Sequence, residues 1–115
     1  TGKNYDEQII LNEILSSKFK RFCVPLDNFL IRETLPIIKN CDISICNDSS
    51  FSHLSAGLGI KTIVLMVDTP LIYGSYNKNM YPILPEGETN VTHDTLGKDK
   101  INPEEIYNNF KKLLG

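Results

Sequence analysis

Residues able to do chemistry crowd into one short stretch, ICNDSSFSHLSAGLG, running from Ile45 to Gly59. The apolar run Ile43-Ser44-Ile45-Cys46 stops at Asn47-Asp48-Ser49-Ser50, and His53 follows three residues later. A plain turn needs neither a carboxylate nor two adjacent hydroxyls. If a helix starts at Ser49 and Ser50, its free N–H groups and its dipole favour an anion, and both hydroxyls add donors for a phosphate. Asp48 would be repelled by that phosphate and suits sugar or ribose hydroxyls, from which it accepts. His53, in the first helical turn, reaches the same anion as a neutral or cationic donor. Each residue also has an ordinary structural role: Asp48 or Ser49 as a helix cap, His53 as a surface or core histidine. Their combination at one junction is what points to a phosphate–sugar ligand.

Such a junction needs a strand on one side and a helix on the other, and the flanking patterns supply both. Ile43 to Cys46 reads as a strand, Ser50 to Leu58 as a helix, and Gly59 as the helix stop. Thr62 to Val67 is an uninterrupted apolar run of the kind found in parallel strands buried on both faces. Upstream, Ile9, Ile10, Leu11, Ile14 and Leu15 fall at helical spacing behind Asp6 and Glu7, predicting a helix from Tyr5 to Ser17. Phe22-Cys23-Val24 reads as a short buried strand closed by Pro25. Ile31 to Asn40 is amphipathic with Pro36 inside it, so that helix either kinks or begins late, near Thr34.

Asp68 to Lys100 is a long polar segment containing Pro70, Pro82 and Pro85, in which only Met80 to Leu84 has the pattern of a strand. Asn102-Pro103-Glu104-Glu105 opens a last helix with an N-cap, a proline at its first position and acids in its first turn. Ile106, Tyr107, Phe110, Leu113 and Leu114 supply its apolar face. Helices alternating with strands predict an α/β fold, a Rossmann-like parallel sheet flanked by helices. Because the pattern opens on a helix after Thr1-Gly2, a preceding strand is expected upstream. Ligands of open α/β sheets bind beyond the carboxyl ends of the strands. Gly2 to Glu7, Asn47 to His53 and Asp68 to Tyr76 are expected to meet there.

The bulk properties narrow the classes. A chain of 115 residues holds one domain with a single core. A net charge of −2 argues against a broad nucleic-acid surface, which needs clustered cations. Lys18-Phe19-Lys20-Arg21 reads instead as a solvated helix end. The three cysteines, Cys23, Cys41 and Cys46, lack paired spacing and read as reduced core thiols in a cytosolic setting. No run approaches the ~18 apolar residues of a membrane span, and no signal peptide is legible. No Cys/His spacing suggests a metal site, and no Walker loop occurs. In DTPLIYGSYNKNMYPI, Tyr73, Gly74 and Tyr76 form a loop placed to flank a base, although loop tyrosines commonly pack on their own surface. His93-Asp94 reads as a polar loop.

CDISICNDSSFSHLSAGLGIKTIVLMVDTP resembles the C-terminal domain of the heptosyltransferase family, glycosyltransferase family nine. That family shows an aspartate, a serine or threonine, usually a glycine, two variable residues, then His-Leu-Ala and Leu-Gly. Asp48, Ser49, His53, Leu54, Ala56, Leu58 and Gly59 stand in register with it, and Leu65, Thr69 and Pro70 represent the following strand and loop. TGKNYDEQII is similar to the family's glycine-to-acid turn, whose carboxylate holds the donor ribose; Asp6 is the nearest match and Glu7 the next. Ser50 stands in place of the usual glycine, narrowing the approach of phosphate to backbone, and Val67 where glycine often follows an aromatic.

The resemblance implies a GT-B architecture, with this chain as most of the C-terminal, donor-binding half. It implies Asp48, Ser49, Ser50, His53, Asp6, Glu7 and Thr69 as donor-binding residues, with the catalytic base in the N-terminal domain. The implied substrate is a nucleotide-diphospho-sugar resembling ADP-heptose, and the implied acceptor is a lipopolysaccharide or other surface glycan. No cofactor, metal or nucleic-acid partner is implied. The implied location is the bacterial cytoplasm at the cytoplasmic face of the inner membrane, with membrane contact only through the full-length protein. The residues by themselves also admit a non-catalytic nucleotide-binding or interaction module, or a nucleotide-sugar epimerase of the same architecture.

Overall fold

The computed structural model describes residues 3–115, so the expected turn at Thr1-Gly2 lies outside the described residues. The chain divides into two compact units, Thr1–Thr34 and Leu35–Gly115, which bury their apolar residues very differently.

In the first unit, helix α1 (Tyr5–Leu15) starts at Asn4, whose side chain accepts a hydrogen bond from the Glu7 N–H at 2.9 Å. Asp6 and Glu7 fill its first turn, where carboxylates oppose the positive end of the helix. The helix stops short of Ser17, whose hydroxyl donates to the Ile14 carbonyl at 2.7 Å and accepts from the Phe19 N–H at 3.2 Å. Such local side-chain bonds compete with helix continuation. The expected strand at Phe22-Cys23-Val24 does not form. Lys20–Phe22 is a 3-10 turn, closed by the Cys23 N–H on the Lys20 carbonyl at 3.1 Å. Val24 is 81% exposed. A strand needs a neighbour to take up its N–H and C=O groups, and no strand among the described residues pairs with this one.

Helix α2 (Ile31–Lys39) begins at Ile31 rather than near Thr34. The Leu30 N–H donates to Glu33 Oε1 at 2.9 Å, and this back-reaching bond fixes the start. Pro36 is accommodated inside the helix at the cost of one backbone hydrogen bond.

The second unit is an α/β layer built on a three-stranded parallel sheet, β1 (Ile43–Asn47), β2 (Lys61–Leu65) and β3 (Met80–Ile83), in that spatial order. Ser44 pairs with Thr62 and Thr62 with Met80; Ile45 pairs with Ile63 and Ile63 with Tyr81. Residues two apart share a face. On one face lies helix α3 (Ser50–Gly57), fixed where the Ser55 hydroxyl donates to Ser44 Oγ at 3.1 Å. On the other, Ile45 lines a groove with Ile106 and Phe110 of helix α4 (Pro103–Leu114). Central β2 is therefore covered on both sides, and Ile63 and Val64 are fully buried. Pro82 is tolerated because β3 is an edge strand.

Ala56, Val64, Met66, Met80 and Val91 form the core, with Leu71 and Leu84 packed against it. Val91 shows that the 68–100 segment is not a free polar loop, since it seals the core from outside the sheet. Gly59 adopts φ +85°, the left-handed stop that ends α3. Helix α4 starts at Asn102, whose Oδ1 accepts from the Glu104 N–H at 2.9 Å. Among the described residues, no helix is long and apolar enough to cross a membrane.

The expectation of core thiols fails for two of the cysteines. Cys23 and Cys41 are exposed and only Cys46 is partly buried, all three unpaired. Cys23 follows the turn that replaced a strand, and Cys41 lies just beyond the end of α2.

Candidate functional site

The junction after β1 is built as its residue types require. Asn47 ends the strand, Asp48 is the next residue, and Ser49 is the extended N-cap of α3 at φ −155°. The start of the helix is closed by Ser52, whose hydroxyl accepts from the Ser49 N–H at 3.3 Å and donates to the Ser49 carbonyl at 2.7 Å. Ser49 and Ser50 remain exposed at the helix entrance. Ser52, which closes the turn, is buried, while Ser49, whose side chain completes a capping box with Ser52, and Ser50 are exposed at the positive end of the helix.

Asp48 keeps only 13% of its side chain exposed, and its Oδ1 lies 3.6 Å from His53 Nε2. That is an ion-pair distance rather than a hydrogen bond. The other ring nitrogen of His53, Nδ1, lies 2.6 Å from the Tyr76 hydroxyl, and the two rings stack at 5.6 Å between centroids. Both histidine nitrogens therefore face protein groups. The Asn47–His53 and Asp68–Tyr76 segments meet, as expected from the sequence. Asp6 and Glu7 belong to the first unit, on the opening turn of α1.

Beside this cluster, at the carboxyl ends of β1 and β2, opens a cavity of about 420 Å³. Its polar lining is Asn47, Asp48, Asp68 and Lys98, and its apolar wall is Leu65, Val67 and Ile101. The volume lies within the ~300–1,000 Å³ of small-molecule clefts. Lys98 arrives from a distant part of the chain through a close approach. The Gly97 N–H donates to the Val67 carbonyl at 2.9 Å, and a Cβ on Gly97 would run into the Pro85 ring. Three carbonyl-bearing acceptors and one ammonium suit a ligand rich in hydroxyls that also carries an anion.

Among the described residues, three side-chain oxygens are buried without a hydrogen-bond partner: Glu7 Oε2, Asp48 Oδ1 and Thr69 Oγ1. Folded proteins leave few such groups, because each costs about 1–3 kcal/mol. All three belong to residues that the sequence singles out for ligand binding. In β1, burial pushes the Cys46 thiol above its ordinary value; a hydrogen bond with Ser44 opposes the shift and the Asp48 charge adds to it.

Sequence reasoning did not find Lys98 or the pairing of Tyr76 with His53, and it named Asp68 only as the start of a segment expected at the site. Lys98 lies fifty residues from Asp48, and no local pattern distinguishes it from the neighbouring lysines. Tyr76 was legible as a loop tyrosine, but only the fold brings it onto α3. His93 and Asp94 lie exposed on a turn in which the Asp94 N–H donates to Thr92 Oγ1 at 3.2 Å. Among the described residues, no group of three His, Cys, Asp or Glu side chains is placed to hold a metal ion. No family model, curated protein or solved structure matches the chain, so the functional argument rests on this geometry.

Proposed function

We propose that this chain is the donor-binding half of a GT-B glycosyltransferase, binding a nucleotide-diphospho-sugar whose sugar passes to a surface glycan held by a second domain. The observation that carries the reading is the pair of buried oxygens without a hydrogen-bond partner on Asp48 and Thr69, both expected ligand contacts and both in the second unit. Sugar and ribose hydroxyls are donors of the kind those acceptors lack. The exposed hydroxyls of Ser49 and Ser50, with the amino end of α3, offer donors to the diphosphate. In an inverting transfer the acceptor oxygen attacks the anomeric carbon as the bond to the diphosphate breaks. Donors fixed on the leaving diphosphate stabilise the charge it gains. Ser50 puts a side chain where the family usually has none, which favours a donor other than ADP-heptose itself.

A thermal-shift panel of ADP, UDP, GDP and CDP, with AMP as control, tests the binding step. A ligand at ten times its dissociation constant adds about 1.4 kcal/mol, on the order of several degrees for a small domain. The expected result is a rise with one nucleoside diphosphate that Ser49→Ala and Asp48→Asn both remove. Equal shifts with AMP and ADP would favour a non-catalytic module instead. Conversion of the bound nucleotide-sugar without an acceptor would favour an epimerase.

A further inference from the structure

The contacts of His53 do more than hold a side chain in place. Its Nε2 faces the Asp48 carboxylate at 3.6 Å, and its Nδ1 lies 2.6 Å from Tyr76 Oη. A carboxylate beside Nε2 favours the tautomer that carries its proton there. Nδ1 is then the lone-pair nitrogen, and the hydrogen bond runs from the phenol to the imidazole. The order carboxylate, imidazole, hydroxyl is that of a nucleophile–base–orienter constellation. Asp48 is largely buried, whereas Tyr76 is 55% exposed, so the relay runs from the protein interior to a reagent-accessible oxygen.

We propose that Asp48, His53 and Tyr76 form a proton relay that makes the Tyr76 phenol an activated base and nucleophile. When Tyr76 Oη takes a proton from a ligand hydroxyl, or attacks an electrophilic centre and displaces the leaving group bonded to it, its own proton passes to His53 Nδ1. The imidazolium that results is held by the Asp48 carboxylate, and no other reactant is required. The charged groups on the elements packed against α3 leave this assignment alone. Lys39 bonds the Leu58 carbonyl at 2.6 Å and Lys61 the Leu113 carbonyl at 2.7 Å, both away from the amino-terminal turn that carries His53. Asp68 and Lys98 line the cavity with Asp48, and Cys46, in β1, is a further titratable neighbour that stays neutral because burial raises its thiol.

If the transferase reading holds, the acceptor's base lies in the other domain and the hydroxyl that Tyr76 Oη meets belongs to the bound donor, with His53 as the base of Tyr76 and Asp48 as a positioning residue. Only the identity of that hydroxyl rests on the transferase reading.

The relay is tested without any nucleotide, by reacting the folded chain with 4-(2-aminoethyl)benzenesulfonyl fluoride. Attack by Tyr76 Oη on sulfur expels fluoride as the phenol proton moves to His53, and peptide mass spectrometry reads each tyrosine separately. Tyr73 and Tyr107, 50% and 55% exposed, are internal controls of matched accessibility. Tyr76 is expected to react at least about tenfold faster than either, a modest share of the ~10²–10⁴-fold that positioned general bases contribute. His53→Gln should reduce Tyr76 to the rate of the controls and leave theirs unchanged. Should that variant melt early, Asp48→Asn replaces it, with a several-fold fall expected at Tyr76 alone. Labelling of Tyr76 no faster than of Tyr73, or a rate indifferent to the folded variant used, overturns the proposal. A chain that binds no nucleotide yet labels selectively at Tyr76 keeps the relay and loses the transferase reading; the reverse result does the opposite.

Discussion

The two units make opposite use of similar material. Thr1–Thr34 carries Ile9, Ile10, Phe19, Phe22 and Val24 in the open, with Leu11 as its buried aliphatic side chain, whereas Leu35–Gly115 closes Ile63, Val64, Met66 and Ile83 away from water. Both contain apolar runs that read as strands, yet only the second forms a sheet. The difference lies in what stands beside each run. Ile43–Asn47 and Met80–Ile83 flank Lys61–Leu65 in register and take up its backbone N–H and C=O groups. Phe22-Cys23-Val24 has no such neighbours among the described residues, and Phe22 ends a local turn instead. β-structure is a property of pairs and layers, while the cap that starts α1 is set within a few residues of its own sequence.

Substitutions in the two units should therefore differ most in stability. Met66→Ala, in the core of the second unit, is expected to cost about 2–5 kcal/mol, read from the midpoint of urea unfolding. Gly97→Val should cost about 1–3 kcal/mol, because the new side chain meets a proline ring that cannot yield. That variant should also displace Lys98 from the cavity. Removing the α4 cap with Asn102→Ala should cost about 1 kcal/mol. Phe22→Ala and Val24→Ala, conspicuous in sequence but exposed, should stay within about 0.5 kcal/mol of the parent. A large loss at Val24 would mean that the first unit hides its apolar residues after all.

Thiol chemistry sharpens the same contrast on a smaller scale. A thiol-exchange reagent such as dithionitrobenzoate should titrate exposed Cys23 and Cys41 at once, and Cys46 only as the fold opens. Burial raises the Cys46 thiol above its ordinary value of 9.0. Its neutral form therefore contributes stability that is complete below that value and is lost as pH rises through the folded value. Cys46→Ala should flatten this alkaline decline in urea midpoints, and an unchanged decline would contradict the assignment.

Much of the second unit was legible because its signals are local and mutually consistent. The Asn102-Pro103-Glu104-Glu105 cap, the Gly59 stop and the apolar run from Thr62 each name one element by a mechanism that acts within a few residues. The Asp48–His53 junction was legible for the same reason. What could not be read was pairing over distance. Nothing near Phe22 announces that its run lacks neighbours, and nothing near Lys98 announces that Gly97 will lay it beside Val67. Tyr76 joined the site only because the turn at Leu71–Gly74 carries the chain back over α3.

On the proposed function, the end of β1 and the start of α3 hold a nucleoside diphosphate. The most direct measurement is hydrogen–deuterium exchange, read peptide by peptide, with each of the four nucleoside diphosphates at saturating concentration. The account predicts that one of them slows exchange across 47–53 and 68–76, and that Asp48→Asn removes the protection while the core peptides of β2 stay unchanged. Exchange at 47–53 that is indifferent to every nucleotide, or protection that survives Asp48→Asn intact, would contradict it.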